Sequence, residues 1–321
     1  MTLTTTDDRG ARIVAIDALR GLAIGAMIIY HFAWDLSYFG MISVDIAGDP
    51  WWTAFARVIA GTFVGLVGVS LALATRHGLR PRPFLRRLAI IIGAASLVTI
   101  GTWSFVPQSF VFFGILHLIA FASLAALPFL LLPSSILLLS GIAIFALPIF
   151  FTHEIFDIPL LWWVGLTAGV PINAIDYVPV FPWFAMTLFG IVAGRLLIGA
   201  LRDNWFAGWV PSGISGRTVV LAGQWSLVIY LVHQLILVGT LSLVVRLVPI
   251  DPAIQAANFS RSCVTSCRAA GRTVLVCESF CGCVLTGIQD AGLLAVAHSG
   301  RMNAEQNNRW LTLVNQCRPT N

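Results

Sequence analysis

The run from Ile13 to Asp35, IVAIDALRGLAIGAMIIYHFAWD, decides how the rest of the chain is read. It is mostly apolar over about 20 residues, enough for a helix to cross a hydrocarbon core about 30 Å thick. Yet it carries Asp17, Arg20, His31 and Asp35. At about 100° per residue, Asp17 and Asp35 differ by whole turns and His31 lies about 20° from Arg20, so the four share one narrow stripe. Ionisable groups at bilayer depth cost about 2.5–3.5 kcal/mol each on insertion scales, which makes such a stripe a functional expectation. Mutual neutralisation explains Asp17 and Arg20 well. It does not explain His31, which forms an i,i+4 pair with Asp35, a spacing that lets a carboxylate orient the imidazole and raise its basicity.

Working outward, the 321 residues are 58% hydrophobic and 10% charged, with a mean hydropathy of +0.89. Soluble domains carry roughly 25% charged residues, so a water-soluble globular protein is excluded. The pI of about 9.1 does not point to nucleic acid, because the positive charge, all of it Arg, lies in short clusters between apolar runs. No cleavable signal peptide is expected, since no small-residue cleavage site follows the first run. Runs of suitable length place about seven spans near 13–34, 53–74, 84–103, 110–131, 134–151, 181–201 and 221–247. Residues 160–170 are too short to cross and read as re-entrant or interfacial.

Arg9 and Arg12 precede the first span, Arg76, Arg80, Arg82, Arg86 and Arg87 fill the second loop, and Arg195, Arg202 and Arg217 surround the sixth span. The intervening loops hold Asp35, Asp45, Asp49, Glu154, Asp157 and Asp176. The positive-inside rule puts the N-terminus in the cytoplasm, and an odd span count delivers the C-terminus outside. An eighth span would invert the tail. Trp51, Trp52, Trp103, Trp162, Trp163 and Trp183 fall at the expected outer interface and read as an aromatic belt.

Composition changes after Pro249. The remaining residues are polar and hold all six cysteines. Cysteines four apart share a helical face, and two helices folded across the Arg268–Arg272 turn would oppose Cys263 to Cys281 and Cys267 to Cys277 in one antiparallel register. Cys283 and Cys317 would close a third bridge. An even count in an oxidising compartment supports disulfides; a thiolate metal site is the rival that spacing leaves open. The segment resembles the twin C-x3-C helical hairpins of small disulfide-stapled proteins. The expected fold is therefore an all-α polytopic transmembrane bundle over residues 1–248, followed by a small helical, disulfide-stapled domain over 249–321. No metal is expected.

Other intramembrane polar groups are Arg57 in the second span, His117 in the fourth, Arg195 in the sixth and His233 in the last. Arg57 is placed to pair with Asp35 or face an anionic substrate. His117 and His233 read equally as inter-helix hydrogen bonders or as site residues. Arg195 reads as a snorkelling side chain. Gly61, Gly65, Gly68 and Ser70 line one side of the second span and read as close helix packing.

The ordered set Ile16–Ala23 with Tyr30-His31, Arg57–Phe63 running to Gly68–Ser70, Phe113–His117, Pro182–Phe184 with Gly190 and Gly194-Arg195, and Ser226–His233 resembles a transmembrane acyltransferase. Its start is similar to the acyltransferase type 3 family, and the whole set to bacterial relatives of heparan-α-glucosaminide N-acetyltransferase. The resemblance covers residues 12 to about 247, with fewer spans than the ten or eleven typical there and with the cysteine tail outside it. It implies transfer of an acyl group, usually acetyl from cytoplasmic acetyl-CoA, to a sugar or glycan on the other side. His31 would be the catalytic histidine, with Arg20 and Asp17 on the same face.

Chemistry agrees. Acyl transfer needs a base or nucleophile, and imidazole serves as either. The Arg76–Arg87 loop, including Arg76, Arg80 and Arg82, offers cations for CoA phosphates. Asp35 is expected to orient His31, and His117 or Arg57 to stabilise the oxyanion. The implied partners are acyl-CoA, the acceptor and the lipid bilayer of a bacterial inner membrane, with a periplasmic tail, no nucleic acid, and a homodimer allowed for. A proton-coupled transporter using the stripe would favour an internal repeat, and none is seen. A non-catalytic scaffold is the third reading, and predicts a dispensable stripe.

Overall fold

The computed structural model describes residues 13–169, 174–202, 211, 213–294, 296 and 302–318. Arg9, Arg12 and the side chain of Arg202 lie outside the described residues. All described secondary structure is helical: α1 (Val14–Tyr38), α2 (Pro50–Ala74), α3 (Pro81–Phe105), α4 (Ile115–Ala125), α5 (Ser134–Phe150), α6 (Val180–Arg202), α7 (Gly213–Gln224), α8 (Ser226–Leu247), α9 (Pro252–Ala269), α10 (Val274–Asp290) and α11 (Ala304–Gln316), with short 3-10 turns between some of them. Five of these, α1, α2, α3, α6 and α8, are long and apolar enough to cross a membrane, and α4 and α5 are shorter apolar helices. The chain is an integral membrane protein of all-α architecture. Residues Pro159–Val164 form only a 3-10 turn, in keeping with a segment too short to span.

Local chemistry sets the helix starts. Asp49 Oδ1 accepts from the backbone N–H of Trp51 and Trp52 at 2.9 and 3.1 Å, with Pro50 opening α2. Pro81 opens α3, after Gly78 turns the chain at a φ of +94°. The expected last span is two helices: α7 ends at Gln224 and α8 begins at Ser226, so only α8 has spanning length.

The structure forms two compact units. One takes in the chain to Ile28 and from Ala54 to His233; the other takes Ile29–Thr53 and Gln234 onward. In the first, Val64, Leu71, Leu118, Ala122, Leu137, Leu188 and Ile191 from α2, α4, α5 and α6 form a buried core. The glycine row of α2 is a packing surface. A Cβ on Gly68 would collide with the backbone of Thr187, Gly190 and Ile191, and one on Gly190 with Gly65. Gly21 of α1 and Gly223 of α7 show the same intimacy with the backbones of Val219 and Asp17.

Two expectations are corrected here. Arg195 does not snorkel: its guanidinium donates to the carbonyls of Leu130 and Leu132 at 2.8 and 2.7 Å and to Ser134 Oγ at 3.3 Å, closing the turn before α5. Unpaired carbonyls at a helix end cost more than the arginine gains in headgroups. The Trp belt is also incomplete. Trp51 and Trp103 are exposed, but Trp163 and Trp183 pack against the core cluster.

In the second unit α9 and α10 fold as an antiparallel hairpin about Gly271, at a φ of +81°. Disulfides join Cys263 to Cys281, Cys267 to Cys277, and Cys283 to Cys317. Val284, Ile288, Leu293 and Leu294 make the small core with Phe259 and Trp310. Below about 70–80 residues a core of this size needs such staples. Asn258 Nδ2 donates to the carbonyl of Gly40 at 3.1 Å, tying α9 to the α1–α2 loop.

Candidate functional site

Polar chemistry gathers at two places, one in each unit. In the first, α1, α2, α3, α4, α7 and α8 line an open cavity of about 780 Å³. Arg82, Arg86 and Arg87, on the first two turns of α3, line it together with Arg20. Ile24, Phe63, Leu66, Val67, Ile91, Leu116 and Ile119 make its apolar wall, and Gln224, Ser226 and Tyr230 add polar groups from α7 and α8. The lining follows α3 from Arg82 to Ile91, nine residues or about 13 Å. Arg20 is neutralised by Asp17 at 3.2 Å and donates to Ser70 Oγ at 2.5 Å. Among the described residues no carboxylate pairs with Arg82, Arg86 or Arg87. Three cations beside an apolar channel suit a long ligand with an anionic end.

Arg76 and Arg80 are exposed and do not line this cavity. Arg57 is exposed and forms no ion pair among the described residues. His117 holds α4 in place: its Nδ1 accepts from the Gly114 N–H at 3.2 Å, and its Nε2 lies 3.2 Å from Thr99 Oγ1, which donates to the Val111 carbonyl at 2.7 Å. Both ring nitrogens are thus used in local structure. His233 is buried, with Nδ1 2.7 Å from the Tyr230 carbonyl of its own helix.

Sequence reasoning missed the pair of Tyr230 and Asp176. Asp176 stands in the loop leading into α6, at a φ of +53° that aspartate tolerates. Its Oδ2 accepts from the Tyr230 hydroxyl at 2.9 Å and from the Ile115 N–H at 3.4 Å, at the first turn of α4. The loop itself is stitched down by Ile175 N–H to Ser109 O and Val178 N–H to Phe113 O. Ile115 and Tyr230 both line the cavity, so this carboxylate braces its wall. No sequence period links positions 54 and 61 residues apart.

Burial raises the Asp176 carboxyl from 3.8 to about 6, against the lowering effect of its two hydrogen bonds. Between those values the folded protein holds a proton that the unfolded chain has lost, so stability falls as pH rises from about 4 to above 6. Asp176→Asn, which keeps the acceptor, is expected to flatten this slope, worth at most about 3 kcal/mol. Thermal unfolding in detergent from pH 4 to 8 measures it; an unchanged slope in the variant would refute the assignment.

In the second unit, His31 is half-buried on α1, its ring 5.6 Å from Tyr30 in an edge contact. Asp35, one turn on, is fully buried. Its Oδ1 accepts from Gln234 Nε2 of α8 at 2.7 Å. Gln234 was not among the residues singled out by sequence, although it follows His233 directly.

A family model for the catalytic region of heparan-alpha-glucosaminide N-acetyltransferase matches residues 12–235. No curated protein and no solved structure matches the chain. The match takes in α1 to the first half of α8, with the Arg-lined cavity, His31 and Asp35 inside it and the cysteines outside. With the family model covering most of the chain, this protein belongs to the heparan-α-glucosaminide N-acetyltransferase catalytic domain family.

Proposed function

We propose that this protein is a membrane acetyltransferase that takes acetyl from cytoplasmic acetyl-CoA and passes it to a sugar or glycan acceptor on the outer side. The observation that carries this reading is the cavity within the family match: Arg82, Arg86 and Arg87, without a carboxylate partner among the described residues, beside an apolar channel. The arginines would meet CoA phosphates by charge-assisted hydrogen bonds, and the apolar wall would take the arm that ends in the thioester. Arg76 and Arg80 would extend this positive field, and Arg20, balanced by Asp17, would orient the arm. Arg57 and His233 are proposed as acceptor-side contacts.

His31 acts as base or nucleophile. As base, its imidazole takes the proton from the acceptor amine or hydroxyl while that atom attacks the thioester carbonyl. The C–S bond then breaks, and the sulfur leaves with a proton. As nucleophile, the ring carries the acetyl group between two such steps. Functionally the chain divides near residue 248 into this membrane enzyme and the stapled domain, which we place in the periplasm of a bacterial inner membrane.

Turnover of acetyl-CoA by the purified protein, read as free CoA against a panel of amino sugars and glycans, tests the reading. No acceptor-dependent release and no acetyl-CoA binding would favour a proton-coupled transporter. Arg86→Ala with Arg87→Ala is expected to raise the KM for acetyl-CoA at least about 100-fold, since each of the two charged hydrogen bonds contributes about 1.5–3 kcal/mol. An unchanged KM would remove these arginines from the donor site.

A further inference from the structure

The Asp35–Gln234 contact is incomplete in a specific way. Gln234 Nε2 donates to Asp35 Oδ1 at 2.7 Å. The other two heteroatoms of these planar groups, Asp35 Oδ2 and Gln234 Oε1, are both buried and have no hydrogen-bond partner among the described residues. Asp35 is fully buried and forms no ion pair among them. A lone carboxylate desolvated this far, with one amide donor, is costly and takes up a proton instead. Two buried acceptors without donors add their own desolvation cost.

One proton relieves all three defects. A carboxylic acid and a carboxamide are complementary, since each presents one donor and one acceptor on a planar edge. We infer that Asp35 is a neutral carboxylic acid whose Oδ2–H donates to Gln234 Oε1, closing a two-bond ring that pins α1 to α8 beside His31. Both orphaned oxygens are sealed from solvent, which is where an unmade hydrogen bond costs most. The proton stays on Asp35 through the reaction, so Asp35 is a positioning residue and Gln234 its partner. The titratable neighbour on its own helix is His31, one turn earlier; on α8 the facing group is Gln234 itself.

The functional half of this inference rests on the acetyltransferase reading; the protonation does not. Infrared spectroscopy of the full-length protein in lipid nanodiscs at about pH 6, read as the difference between wild type and Asp35→Asn so that other protonated carboxyls cancel, is the direct test. A carboxylic acid carbonyl band that shifts in D2O and disappears in Asp35→Asn is expected. Absence of that band overturns the inference whatever the protein catalyses. The second arm is rescue. Asp35→Leu and Gln234→Leu are each expected to lower acetyl transfer at least about 10-fold, whereas Asp35→Asn, which keeps a donor and an acceptor, recovers to within about 3-fold of wild type. Asp35→Asn as impaired as Asp35→Leu would show that the charge is required, and overturn it.

Discussion

His31→Ala is expected to lower acetyl transfer about a thousand-fold while the protein still binds acetyl-CoA. The argument starts from α1, one continuous helix from Val14 to Tyr38. It carries a half-buried imidazole, the side chain best suited to take up and release a proton in acyl transfer. General base catalysis contributes about 10²- to 10⁴-fold, and loss of a covalent step costs at least as much. Thermal unfolding of the variant in detergent, run alongside, shows whether folding survives the substitution. Single-turnover acetyl transfer and acetyl-CoA binding, measured on the same preparation, separate the two effects. A variant that binds donor but does not transfer supports the assignment. Transfer at wild-type rate would move the base elsewhere, with buried His233 the next candidate.

The second large effect concerns packing. Gly68→Ala is expected to destabilise the membrane unit by about 3 kcal/mol or more, because overpacking against backbone has no side chain to yield. The added methyl would meet the carbonyl of Thr187, the amide of Ile191 and the backbone of Gly190, while Thr187 is itself fully buried and bonded to the Val64 carbonyl at 3.3 Å. Gly93→Ala is the control: nothing lies within 4 Å of its added Cβ, and alanine is the better helix former by about 1 kcal/mol. Monodisperse yield and thermal unfolding in detergent compare the two. Equal behaviour of both variants would mean that α2 and α6 are not packed backbone to backbone.

Periodicity and charge asymmetry are local properties, and they carried far. The apolar runs mark α1, α2, α3, α6 and α8 to within a few residues at most ends, because lipid requires every spanning backbone to satisfy its own hydrogen bonds. The four-residue cysteine spacing marks the faces of α9 and α10 for the same reason: three and four residues along a helix return to one side. The stripe of Asp17, Arg20, His31 and Asp35 is legible on one helix without knowledge of any neighbour.

What lies across from each group was not legible. Arg195 reads as a snorkelling end residue until the carbonyls of Leu130 and Leu132 stand before it. His117 reads as a site candidate until both nitrogens are found closing the start of α4. The spacing of His31 and Asp35 suggests a partnership along α1, whereas Asp35 is held by Gln234, 199 positions away. Arg82, Arg86 and Arg87 look like a topology signal in the chain, and only the fold shows that they line a cavity with Arg20. By itself, then, the sequence determined an all-helical membrane bundle, its polar stripe and its stapled tail, since burial in lipid and helical spacing are written within single segments. Only the tertiary structure decided which polar groups are spent on holding helices together and which face a cavity, because each hydrogen bond has a partner that no local pattern names.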